Sequence, residues 1–197
     1  MKLSIPFILG LLVLGLIVYV ISTYNWLATV RTRIQASVQE IGNQLKRQAE
    51  LIPNLEESAK GYLRHEKEII RMLAEARKAV ASAVKSGDLG QMASAGDRVA
   101  QLLPQIQVVV ESNPQIKGAD VVTRLMDELR DTSDKVMYAR RTLIDLTADY
   151  NVRLVTFPSN LVADMFGFKS EKGLETPTSG EHLTVSTADT RTPKISI

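Results

Sequence analysis

From Leu3 to Ile21 the chain carries no charged side chain, and no other feature constrains its fold as strongly. Those 19 residues, at about 1.5 Å of rise each, match the hydrocarbon thickness of a bilayer, about 30 Å. The segment therefore reads as a membrane-spanning helix. A cleaved signal peptide is the competing reading, because Lys2 supplies a short basic start. Against it, Ser22, Thr23, Tyr24, Asn25 and Trp26 follow where a small-residue cleavage site would stand. Tyr19, Tyr24 and Trp26 place amphipathic rings near the downstream end, where such rings prefer the headgroup layer. Positive charge does not set the orientation: Lys2 and the terminal amine face Arg31 and Arg33 across the segment.

The remainder of the 197 residues suffices for one domain with a core. Lys and Arg (24) nearly balance Asp and Glu (22), with the signs interspersed, so no basic footprint for nucleic acid is present. The absence of cysteine removes disulfide scaffolds, thiolate metal sites and thiol nucleophiles. Few aromatics among abundant Ala, Leu, Val, Glu, Lys and Arg suit helices packed on helices.

Apolar periodicity supplies the rest of the fold. Leu27, Val30, Ile34, Val38, Ile41 and Leu45 recur at spacings of three or four, one stripe of a helix that continues the membrane span. Pro53 is expected to end that helix or start the next, after which Leu55, Ala59, Tyr62, Ile69, Leu73, Ala76, Val80 and Ala83 follow a seven-residue repeat. Ser86-Gly87-Asp88, with Gln91 three residues on, reads as a helix stop followed by a capping box. A third helix carries Leu89, Met92, Gly96, Val99, Leu103, Ile106 and Val110, with a kink expected near Pro104. After a loop from Ser112 to Gly118, a fourth runs from Asp120 to Pro158. Four long amphipathic helices with short connections bury their stripes against one another as an antiparallel bundle. The expected organisation is a transmembrane anchor at 1–23, a bundle at 24–169 and a flexible tail at 170–197, where Gly, Thr, Ser and Pro replace apolar residues.

No catalytic constellation emerges. His65-Glu66 resembles the start of a zinc-binding helix, but Ile69 stands where the second histidine belongs. The four residues His65 to Glu68 read more simply as a solvated helix face. Glu56-Glu57 and Asp127-Glu128 are adjacent pairs whose side chains point about 100° apart on a helix, unlike a converging acid and base. Gly87, Gly90 and Gly96 fit no phosphate-binding loop. No cofactor is expected.

Two stretches are more particular than periodicity requires. The first is Leu45-Lys46-Arg47, then Ile52-Pro53-Asn54, then Gly61-Tyr62 and His65-Glu66. The second is Ala139-Arg140-Arg141, then Tyr150-Asn151, Phe157-Pro158 and Phe166-Gly167-Phe168. Together with Tyr24-Asn25 after the anchor, they resemble the bacterial LemA family over about residues 1–169, within a superfamily that includes a magnetosome protein. Val38, Gly42 and Leu143-Ile144 depart from that family's usual Trp, Asp and Tyr-Asn.

The resemblance implies an anchored four-helix domain without known catalysis, associated with envelope organisation or membrane protein quality control. The expected function is accordingly a self-associating scaffold or adaptor in the bacterial cell membrane. Its partners would be the bilayer, other copies and membrane proteins such as a protease. Phe157, Phe166 and Phe168 are the candidate interaction residues, since aromatics favour binding anchors. A sensor that relays signals through the first helix, and a metal-dependent hydrolase using His65, are the alternatives.

Overall fold

The computed structural model describes residues 5–60, 67–112 and 120–174. Among them all regular structure is helical: α1 (Ile5–Ala59), α2 (Lys67–Ser86), α3 (Leu89–Ser112), α4 (Asp120–Val155) and the short α5 (Ser159–Phe166).

α1 is 55 residues long, which at 1.5 Å per residue is about 80 Å. Its two halves have opposite surroundings. Ile5, Phe7, Leu9, Leu12 and Leu16 are exposed, whereas Leu27, Ile41, Leu45 and Ile52 are fully buried. Among the described residues α1 is the one helix long and apolar enough to cross a membrane. Its apolar start has the length and composition of a membrane span, while the rest is an ordinary amphipathic bundle helix.

The expected break at Pro53 does not occur, because α1 continues through the proline to Ala59. A proline inside a helix costs one backbone hydrogen bond and crowds the preceding turn. Here Leu51, Ile52, Leu55 and Ala59 stay buried on the same stripe, and their packing offsets that cost. Leu55 and Ala59 therefore belong to the first helix. The expected seam residue Tyr62 lies outside the described residues, as does the loop from Asn113 to Gly118.

Cross-helix pairs fix the topology. Arg153 sits over the Trp26 ring, and Arg47 pairs with Glu128, so α4 runs antiparallel to α1. Arg140 pairs with Asp97, and Arg130 bonds Gln107, which makes α3 antiparallel to α4. Arg77 meets Glu56 where α2 turns back along α1. One core runs through the bundle, centred on residues such as Leu45, Leu73, Val99, Leu129 and Leu143.

The α2–α3 connection follows its sequence signals. Gly87 has φ 66° and its N–H bonds the Ala83 carbonyl. The Asp88 carboxylate accepts the Gln91 N–H at 2.8 Å, while the Asp88 N–H bonds the Ser86 hydroxyl oxygen in place of a reciprocal Gln91 contact. Further on, α3 passes through Pro104. Gly96 lets α3 approach α4 closely, since a Cβ there would stand 2.9 Å from Val136 Cγ1.

α4 ends at Val155, before the expected Pro158, because the residue preceding a proline is pushed out of the helical region. The chain then turns into α5, whose Val162 and Ala163 pack inward. At its end Gly167 adopts φ 69°; its N–H bonds Asp164, and the Phe168 N–H bonds Ala163 at 3.0 Å. This paired closure needs a left-handed residue, the conformation glycine supplies at least cost.

Candidate membrane-interface site

The fold returns the end of the described chain to the point where α1 leaves its apolar half. α5 packs on α1 and α4, and Thr23 and Leu27 begin the buried stripe of α1. Tyr24 meets Phe166 edge-on at 4.8 Å and Phe168 at 5.5 Å between ring centroids. Edge-to-face pairs add about 0.5–1.5 kcal/mol each beyond area burial. Two residues further along α1 the Arg153 guanidinium lies 4.4 Å above the Trp26 ring, within cation–π range. The aromatic residues that the sequence places at the membrane exit thus receive partners from the other end of the chain.

Of the three candidate interaction residues, Phe166 and Phe168 are brought together at Tyr24, and Phe157 is not. Phe157 stands 75% exposed beside Pro158, on a groove of about 500 Å³ shared with Tyr19, Trp26 and Arg153. Val155, Leu161 and Met165 are exposed nearby. Of the surrounding charges, Arg31 binds Glu171 at 2.8 Å, whereas Asp164, Lys169 and Lys172 face solvent.

The residue pair Tyr150-Asn151 has two separate tasks. Tyr150 is fully buried, its hydroxyl has no hydrogen-bond partner among the described residues, and burial pushes its phenol above the usual range; Arg31 opposes that shift and Glu171 adds to it. Asn151 clasps the segment after α5. Its amide nitrogen donates to the Glu171 carbonyl and its oxygen accepts the Glu171 N–H, both at 3.0 Å. A strap from Phe168 to Leu174 therefore lies along the bundle, with Leu174 against the core and Gly173 beside Thr147.

The other motif residues are dispersed along the stalk. Leu45 and Ile52 are core, Lys46 and Asn54 are exposed, Pro53 lies within α1, and Arg47 crosses to Glu128. Gly167 caps the C-terminal end of α5, and the exposed Pro158 stands at its N-terminal end. Gly61, Tyr62, His65 and Glu66 lie outside the described residues. Among the described residues no group of three or more His, Asp or Glu side chains converges to hold a metal. Composition and spacing gave no sign of the Asn151 clasp or of the Arg153–Trp26 contact, since each joins residues that periodicity treats separately.

Two comparisons agree with this architecture. Over 191 aligned residues the chain is 22% identical to the magnetosome protein MamQ of Magnetospirillum gryphiswaldense, covering 84% of this chain and 70% of that protein. The sequence also matches the LemA family model over residues 37–187. That match takes in the bundle from Ser37 onward, α5 and the strap, and with the apolar start of α1 it makes the chain a membrane-associated helical protein belonging to the LemA family.

Proposed function

We propose that the chain is a single-pass scaffold or adaptor of the bacterial cell membrane. A rigid stalk holds its bundle above the bilayer, where it engages other copies and membrane proteins in envelope organisation or quality control. The observation that carries this reading is α1 itself, which passes without interruption from exposed apolar residues such as Leu16 to fully buried ones such as Leu27. A continuous helix transmits orientation as well as position, unlike a Gly/Ser linker. Exposed Met137 and Tyr138 on α4 offer apolar surface on the bundle. The reading draws on no catalytic residue.

The test is self-association in native membranes. Tyr138→Cys, in a chain otherwise free of cysteine, is crosslinked with a short bis-maleimide in cells at native abundance. Recovery of dimers and higher species is expected. Monomers alone, confirmed by single-step photobleaching of a fluorescent fusion, would overturn the self-associating scaffold.

A further inference from the structure

We infer that the α5 region is a second membrane contact, a foot formed by Phe157, Leu161 and Met165 that enters the lipid surface beside the span. The inference rests on the reading that α1 crosses a bilayer. Its first support is a length. From Ile5 to Val18, α1 is unaccompanied by other helices and rises about 21 Å. In sequence the uncharged stretch from Leu3 to Val18 holds 16 residues, fewer than the roughly 20 that cross a hydrocarbon core of about 30 Å. The lipid boundary therefore falls beyond Val18, at the level where Tyr19 already shares a groove with Phe157 and Pro158.

The second support is the set of apolar side chains that α5 and the turn before it leave exposed. Phe157 is 75%, Leu161 58% and Met165 63% exposed. Leu161 and Met165 are one turn apart on α5, so they share a face. The opposite side, with Val162 and Ala163, is buried on the bundle, while Asn160 and Asp164 occupy the remaining arc. A short helix with one apolar face packed and a second left open needs a further apolar medium, and the bilayer around α1 is continuous with that open face. Tyr24, Phe166, Trp26 and Arg153 add the aromatic and cationic groups that settle at the headgroup layer. Lipid is thus the occupant, and two contact points on one rigid body fix the tilt of the stalk.

The chain has no cysteine, which permits a direct test on the full-length protein. Leu161→Cys and Met165→Cys, both exposed positions, are labelled with bimane and reconstituted in phosphatidylcholine vesicles with a minor share of phosphatidylglycerol. Nitroxide-bearing lipid and aqueous iodide serve as quenchers, with Leu12→Cys marking the span and Val108→Cys the bundle. We expect iodide quenching several-fold weaker at Leu161→Cys and Met165→Cys than at Val108→Cys, together with strong quenching by shallow lipid nitroxide. Iodide quenching equal to that at Val108→Cys overturns the foot. Shielding from both quenchers also overturns it, since that marks a protein contact. If Leu12→Cys reads lipid in either case, the membrane span stands; if Leu12→Cys reads water, the span itself fails.

Discussion

Replacing Asn151 by Ala should release the strap without unfolding the bundle. The side chain makes two hydrogen bonds to the backbone of Glu171, each at 3.0 Å and part-buried. A net hydrogen bond contributes about 0.5–1.5 kcal/mol, so the pair holds the strap by about 1–3 kcal/mol. Only segments near Glu171 depend on that contact, because Tyr150 beside it stays packed in the core. The expected outcome is local: amide exchange at Glu171 accelerates roughly 5- to 150-fold, the range that corresponds to 1–3 kcal/mol. Exchange at core amides such as Leu129 and Leu143 should not change. Asn151→Asp refines the test, since it keeps the acceptor for the Glu171 N–H, loses the donor and adds a charge near Glu171. Its strap should be loosened as well, by the lost donor and by the added negative charge beside Glu171. Unchanged exchange at Glu171 in Asn151→Ala, by mass spectrometry at matched pH, would refute the clasp. Acceleration spread equally through α4 would refute its local character.

Two further substitutions probe the helix packing. Gly96→Ala gains about 1 kcal/mol of helix propensity but sets a methyl group 2.9 Å from Val136 Cγ1, on a stiff and fully packed side chain. Overpacking costs about 1–3 kcal/mol, so a lower Tm by thermal denaturation is expected, restored by adding Val136→Ala; a raised Tm would show that α3 and α4 separate freely. Gln48 is fully buried in α1, and neither of its amide atoms has a partner among the described residues. Gln48→Leu removes two unpaired polar atoms and should raise stability by about 1–3 kcal/mol, or roughly 2–4 °C of Tm per kcal/mol for a chain of this size; a fall in Tm would mean that the amide is hydrogen-bonded after all.

The helices were legible because burial repeats at helical spacing over many turns. Leu27, Ile34, Ile41 and Leu45 announce their face, as do Leu73 and Val80, and all are core. The Asp88 cap was legible too, because capping is a contact between residues three apart. Pro53 misled because its local penalty is visible in sequence, whereas the burial of Ile52, Leu55 and Ala59 that outweighs it depends on helices folded elsewhere in the chain. The site shows the same division. Phe166 and Phe168 were recognisable as aromatic candidates for contact, but their meeting with Tyr24 joins opposite ends of the chain, and no periodicity encodes it. Asn151 looks like one more polar helix residue until the strap comes to lie against it.

The path of the strap fixes a ruler on the protein. It starts with Phe168 beside Tyr24, passes Arg31 at Glu171 and reaches Thr147 at Gly173. Ala59, at the far end of α1, stands about 50 Å beyond Tyr24 along the helix axis. A reporter attached at Leu174 therefore samples the low, lipid-side part of the stalk, and one placed at Lys60 samples its distal tip. Protein neighbours captured by the two reporters should differ, and comparing them sorts the partners by height above the bilayer.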